Sequence, residues 1–340
     1  MTPSSPGVSD LVRIPACFGR NAAAAGDFIP IVRPGERLHF GRDARARHNW
    51  LTAHGGLDDS TTHVQVALLD NLAIVTDVPD YPKEDRVFPV LDDEALFLSD
   101  LAFDLLSELK PKTVLDLGTG SGVIALRLAP YVHRIAAVDI NPRCIHFARA
   151  NVRANNVRNV ELAHGDLYSP LQGQRFDLVV SNPPFLPVPP GARFHLAGNG
   201  GPDGTRVIRR ILAGVAQFLS PGGCLLFLAI SLSRRGRPLI LDLVSRVLGP
   251  NTIVSSMRVY ADPLPLDEFH PLFCDWPGYP GWLRWIQAAG FDALEFLAIR
   301  LSTCKLPPLV PRPLTKTGLS GGWPQRLRRY RLWLDPHGQA

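Results

Sequence analysis

The sequence predicts an α/β fold, a mostly parallel sheet covered by helices on both faces. Three observations carry this. First, short apolar runs of strand length recur in the middle of the chain: Thr113–Leu117, Arg134–Asp139, Val160–Ala163, Phe176–Ser181 and Cys224–Ile230. Second, helix-like patterns at Gly122–Ala129, Arg143–Asn155 and about Arg206–Leu219 separate them; strand–helix alternation of this kind builds a parallel sheet buried on both sides. Third, 340 residues that are 46% hydrophobic and 20% charged suffice for a sizeable core.

Residues 1–85 read differently, as a small β-rich N-terminal appendage of strand and loop and a candidate for substrate recognition. They are rich in Pro, Gly and His. VQVALL and LAIVT flank Asp70-Asn71, a dipeptide that tolerates positive φ, which predicts a hairpin. Asp77–Lys83 reads as a linker, and His39–Trp50 as loop or a short helix. From Asp92 onward, Ala95, Leu98, Leu101, Ala102, Leu105 and Leu109 recur at helical spacing. Asp92, Asp93 and Glu94 suit a first turn, and Pro111 ends the helix.

Beyond the fifth strand, Pro238–Leu248 reads as helix and Thr252–Tyr260 as strand. Asp262–Tyr279, dense in Pro and aromatics, reads as loop. Trp282–Ala289 forms a short helix stopped by Gly290, and Leu294–Leu301 a strand. Arg328–Leu334 alternates by a count of two, which predicts a last strand. Trp276, Tyr279, Trp282 and Trp285 are read either as a lid or as an aromatic mini-core.

Net charge is +5, with arginine clusters at Arg42–Arg47, Arg209–Arg210, Arg234–Arg237 and Arg326–Arg331. This permits an acidic partner without demanding one. The five cysteines lie far apart with no CxxC pair, so neither a zinc site nor a disulfide framework is expected. A reducing cytoplasm suits them. The start, MTPSSPGVSD, has no signal-peptide pattern. No apolar run approaches the roughly 20 residues of a membrane span.

Asp116-Leu117-Gly118-Thr119-Gly120-Ser121-Gly122 follows the first strand. Glycines at every second position let backbone approach a ligand where a Cβ would clash. Asp139 ends the next strand, where an acid bonds ribose hydroxyls in doubly wound sheets. The spacing is G-x-G-x-G, not the G-x-G-x-x-G of a pyrophosphate turn. Asp116 would repel a pyrophosphate but suits an ammonium or sulfonium. These features point to S-adenosylmethionine, with Asp166 facing the adenine amino group. Thr119, Ile140 and Leu167 join the expected cofactor-binding set.

Asn182-Pro183-Pro184-Phe185 closes the fourth strand. A planar nitrogen is a poor nucleophile because its lone pair is delocalised. The Asn182 side-chain oxygen and the Pro183 carbonyl can accept its two N–H bonds and localise that pair. Prolines stiffen the loop, and Phe185 offers a ring face. Asn182, Pro183, Pro184 and Phe185 are the expected catalytic residues, with Asn182 also touching the cofactor. No metal site is expected. His195 is a weaker candidate base, and a structural role fits it better.

At LDLGTGSG, AVDINP, GDLY and SNPPF the chain resembles class I S-adenosylmethionine-dependent methyltransferases. More narrowly, it resembles the "methyltransferase small" group, with its HemK-like protein-glutamine N5 and rRNA guanine-N2 enzymes. The resemblance covers about Phe88–Ile230. It implies a Rossmann-like, doubly wound, mostly parallel seven-stranded sheet over 86–340, with an insertion near 237–280. It implies N-methylation of a protein glutamine or a small molecule. Gly200-Gly201-Pro202-Asp203-Gly204-Thr205 resembles a GG-x-DG segment of the glutamine enzymes. Phe185 is familiar in the guanine-N2 enzymes, which leaves RNA open as acceptor, and residues 1–85 do not read as the helical start of the glutamine enzymes, which leaves room for a small molecule. A non-catalytic cofactor-binding scaffold is the third reading. The oligomeric state is left open.

Overall fold

The computed structural model describes residues 64–69, 72–77, 83–88, 94–247, 252–310 and 322–334. A hairpin of β1 (Val64–Leu69) and β2 (Leu72–Asp77) comes first. Next come α1 (Glu94–Leu109), β3 (Thr113–Leu117), α2 (Val123–Leu128), β4 (Arg134–Asp139) and α3 (Pro142–Ala154). β5 (Val160–His164), β6 (Phe176–Ser181), α4 (Arg206–Phe218) and β7 (Leu219–Arg234) follow. Then β8 (Arg237–Pro238), α5 (Leu239–Val247), β9 (Ile253–Arg258), β10 (Leu264–Pro265) and α6 (Leu266–Phe269) extend the chain. It continues through α7 (Tyr279–Ala288), β11 (Ala293–Ser302) and α8 (Gly322–Leu334).

The main sheet runs β10-β11-β7-β6-β3-β4-β5, with β8 on β7 and β9 on β11. Strands β5, β4, β3, β6 and β7 are parallel neighbours; β11 joins antiparallel to β7. The chain leaves β3 towards β5, then returns to the other side of β3. Right-handed crossovers therefore put α2 and α3 on one face and α4 on the other. The α/β doubly wound fold is as expected. The sheet has nine strands rather than seven, because the two-residue β8 and β10 add to seven longer strands on its antiparallel side.

The core follows the sequence pattern. Val114, Leu115, Ile135, Ala137, Leu178, Val179 and Val180 are fully buried. α1 seats Leu98, Leu101, Ala102 and Leu105 in the same core, at about 1.5–3 kcal/mol for each large side chain removed from water.

Three segments depart from expectation. β7 continues past Ile230 to Arg234 because antiparallel β11 pairs with it as far as Ser233. It then turns into β8 through Arg235 (φ 51°) and Gly236 (φ 71°). Two consecutive positive φ angles mark a tight hairpin turn; the polar run SLSRRG hid this continuation. The expected loop Asp262–Tyr279 holds β10, α6 and a 3-10 turn at His270–Phe273. The expected strand Arg328–Leu334 lies in α8. Trp323, Arg326, Leu327 and Tyr330 are buried at helical spacing, a pattern that the count of two does not register.

Arg326 anchors α8. Its guanidinium bonds Glu94 at the start of α1 and lies 4.6 Å from the Phe296 ring centre. Asp92 and Asp93, expected with Glu94 in the first turn, lie outside the described residues.

The hairpin forms with Leu69 opposite Leu72; Asp70 and Asn71, like His39–Trp50, lie outside the described residues. Its second strand is held by α3. Asn151 accepts from Val75 N (2.8 Å) and donates to Val75 O (3.0 Å), while Asn155 does the same at Ala73 (2.9 and 2.8 Å). Asp77 belongs to this packing and not to a linker: it is fully buried and bonds Arg143 and Val87 N.

Arg326→Ala strips Glu94 of a mostly buried partner, so it should cost about 3 kcal/mol in urea unfolding. Adding Glu94→Gln should recover part of the loss. Wild-type stability in the single variant would contradict the docking of α8 described here.

Candidate active site at the carboxyl edge of the sheet

The strand order reverses beside β3, with β4 on one side and β6 on the other. Ligands of open α/β sheets bind in the crevice at such a point. Leu117 is the register partner of Ser181, and the Ser181 hydroxyl donates to Leu117 O at 2.7 Å. This pairing brings the Gly118–Gly122 turn beside Asn182 across a wide sequence gap.

On the β4 side, Gly118 N and Thr119 N donate to Val138 O, at 2.8 and 2.9 Å. Gly120 N donates to the Asp139 carboxylate (2.8 Å), whose other oxygen accepts from Asn141 N (2.8 Å). Gly118, Gly120 and Gly122 all have positive φ. A Cβ on Gly118 or Gly120 would meet nothing within 4 Å, whereas one on Gly122 would press Ala148 at 3.2 Å. The first two glycines therefore leave a backbone cradle open to a ligand, and the third packs α2 on α3.

Asp116 is fully buried, with its two oxygens in different situations. Oδ2 accepts from the Thr119 hydroxyl (2.6 Å) and from Ala125 N in α2 (3.1 Å). Oδ1 is buried without a hydrogen-bond partner. One oxygen thus holds the turn and the start of α2, and the other is left for a donor. Burial pushes the Asp116 carboxyl up to about 7, against the Thr119 and Ala125 hydrogen bonds. A cationic or N–H-bearing ligand would satisfy Oδ1, so the residues fit the ammonium end of S-adenosylmethionine.

Further along the edge, Ile140 is half-exposed and its carbonyl accepts from His164 Nε2 at 3.0 Å. Burial raises the Asp139 carboxyl above its ordinary range. Asp166 follows β5 and is ion-paired with Arg210 of α4 at 2.7 Å, so one of its oxygens already has a partner. Leu167 adopts φ 50°, with Ser169 N bonded to Asp166 O beside it.

On the other side, Asn182 Oδ1 is also buried without a hydrogen-bond partner. Pro183 is buried and Pro184 half-buried. Phe185 is 6% exposed and packs on Phe296 at 6.0 Å, so its ring is a wall and not an open platform. His195 is buried between Phe88 and Phe194, each at 5.8 Å. Burial, then the nearby Arg86 charge, lowers its pKa to about 4, which keeps it neutral near pH 7.

Sequence reasoning missed the residues that tie these pieces together. Asn141 caps α3 through Arg143 N (2.9 Å) and donates to Asp85 O (2.8 Å). Leu196 N bonds Glu84 O at 3.0 Å, so the 83–88 segment touches both halves of the site. The Asn-Pro pair at 141–142 was the available signal for the cap; the 83–88 contacts left no local signal.

Residues 95–247 match the family model described as the methyltransferase small domain. A putative protein N5-glutamine methyltransferase of Methanocaldococcus jannaschii is 32% identical over 153 residues, which are 44% of this chain and 74% of that relative. The chain belongs to the methyltransferase small-domain family. A release factor glutamine methyltransferase of Moorella thermoacetica is 42% identical over 124 residues, 33% of this chain and 44% of the relative. A ribosomal protein uL3 glutamine methyltransferase of Bradyrhizobium diazoefficiens is 39% identical over 124 residues, covering 33% of this chain and 39% of the relative. The chain thus spans less than half of these last two proteins. The whole edge from Asp116 to Thr205 falls within the family match. Among the described residues, no helix is long and apolar enough to cross a membrane.

Asp116 also sets a pH dependence. Its folded pKa is above the unfolded value, so its contribution to stability is lost as pH rises from about 4 through about 7. His195, lowered in the fold, contributes with the opposite sign over much of the same window. Comparison with a variant separates them. Asp116→Asn leaves the His195 contribution unopposed, so in urea melts the stability of this variant relative to wild type should rise between about pH 5 and about pH 8. Equal slopes would show that the carboxylate is not the desolvated group described.

Proposed function

We propose that this chain is an S-adenosylmethionine-dependent N-methyltransferase whose acceptor is a planar amide or amino nitrogen, a protein glutamine being the leading candidate. One observation carries the reading. The Leu117–Ser181 register sets two carbonyl-type oxygens, Asp116 Oδ1 and Asn182 Oδ1, at neighbouring strand ends, both buried and both without a hydrogen-bond partner. A buried polar atom without a partner costs about 1–3 kcal/mol. Two of them at one switch point mark a site that awaits donors.

In this reading Asp116, Gly118, Thr119, Gly120, Gly122, Asp139, Ile140, Asp166 and Leu167 hold the cofactor, with Asn182 at its reactive end. The cofactor, when bound, supplies an electrophilic methyl group. Asn182 Oδ1 and the Pro183 carbonyl accept the two N–H bonds of the acceptor and localise its lone pair on the nitrogen. On methylation the acceptor nitrogen would exchange one N–H proton, lost to solvent, for the methyl group that the cofactor's sulfonium would release. Pro183 and Pro184 hold those two acceptors still, so that much of the barrier reduction comes from orientation. Phe185 closes the rear wall against Phe296.

The relatives' names support a protein glutamine as acceptor. Residues 1–85 remain our candidate for recognition of that protein, although the hairpin packs directly on α3. The guanine-N2 reading is less well supported, because Arg209 and Arg210 on α4 are held by Asp203 and Asp166 instead of standing free for phosphates.

Methyl-labelled S-adenosylmethionine, offered with release factors, ribosomal proteins, stripped ribosomal RNA and a metabolite extract, should label a protein fraction. Label in RNA would replace the glutamine reading with the guanine one, and label in none would favour a scaffold. Asn182→Ala should lower turnover on the order of 10²-fold while unfolding and S-adenosylhomocysteine binding stay close to wild type. Full activity in that variant would rule out the amide-pairing mechanism.

A further inference from the structure

We infer that Trp282 is a positioning residue for the acceptor gate, acting through the GG-x-DG segment; this rests on the reading of Asn182–Phe185 as that gate. Trp282 lies in α7, beyond residue 247 where the family match ends.

The gate is held by its own downstream chain. Leu186 N donates to Gly198 O (2.9 Å), Gly200 N to Leu186 O (2.9 Å) and Val188 N to Gly201 O (2.9 Å). Residues 198–201 thus run beside 186–188 as a short rail. The glycines of this rail are there for contact. A Cβ on Gly200 would sit 2.8 Å from the Phe185 carbonyl carbon, and one on Gly204 2.5 Å from Phe185 O and 3.3 Å from Ile230 O. No side chain fits between the rail and the gate, so any movement of the rail moves the Phe185 backbone.

α7 clamps that rail from outside. The Trp282 indole N–H donates to Pro202 O at 2.8 Å, between the two glycine contacts. The indole is 3% exposed and meets Phe273 at 5.9 Å, and Phe273 meets Phe194 at 6.2 Å. At the start of α7, a Cβ on Gly278 would fall 1.9 Å from Pro190 O. The helix therefore touches the gate segment at Pro190, at Phe194 through Phe273, and at Pro202. The aromatic residues here form a mini-core, and Trp282 uses its one polar atom to set the gate.

The test is Trp282→Phe, which keeps a ring in the mini-core and removes the N–H. Amide hydrogen exchange at Leu186, Val188 and Gly200 should quicken by about tenfold, with β3 and β4 unchanged. S-adenosylhomocysteine affinity should hold, and kcat should fall more than the acceptor KM rises. Unchanged exchange, or equal quickening across the sheet, would overturn the inference, as would local quickening with wild-type kcat. A wild-type chain that methylates no acceptor would defeat the functional reading on its own, and the exchange experiment would still judge the clamp.

Discussion

The pairing of β3 with β6 is the constraint on which the site depends. Parallel strands carry no choice of face once their register is fixed, and a slip of one residue would send Asn182 to the opposite side of the sheet. The Ser181 hydroxyl bound to Leu117 O adds a cross-strand tie at the last residue of each strand. Everything that follows these two strands inherits its position from that tie. The glycine turn leaves β3 towards β4, and the proline loop leaves β6 towards the antiparallel side. The crevice between them is a product of strand order, and its lining is a product of what each strand end is followed by.

Two kinds of residue work against stability at this edge. Asp116 is a carboxyl group enclosed by apolar strands, and Asn182 is an amide with a buried, unpartnered oxygen. Neither is a fold requirement, except that one oxygen of Asp116 braces the short helix α2. Stability comes from elsewhere: the apolar sheet faces, the α1 stripe, and the Arg326 contacts that close the far side. A fold with a large, well-patterned core can carry a few such deficits where a ligand will later cancel them.

Much of this was legible in the sequence. Apolar runs stopped by Gly, Asp or Asn located β3, β4 and β6 to within a residue or two, because a strand buried on both faces needs an apolar residue at nearly every position. The residues of this carboxyl edge were legible for the same reason: they sit where those runs stop. The antiparallel side was harder. β7 outlasts its apolar run since its final residues are held by β11, a partner far along the chain. α8 was misread because alternation and helical spacing coincide in so short an arginine-rich segment, and only its docking on Glu94 and Phe296 distinguishes them. The rail of Gly198–Gly201 could be seen as a motif, but the reason for its glycines is a contact with Phe185 that no local pattern encodes.

Asn151 of α3 and its C-terminal cap, Asn155, act as a surrogate strand for β2. Residues four apart on a helix rise about 6 Å, while two strand residues span about 6.8 Å. Two rungs can therefore match, at Ala73 and Val75, but the offset grows by about 0.8 Å with each further rung and would soon exceed hydrogen-bond tolerance. A straight helix can thus hold only a short length of strand in this way. Any lengthening of the hairpin would have to find its partners elsewhere, which makes the pitch of α3 a ruler for the segment it carries.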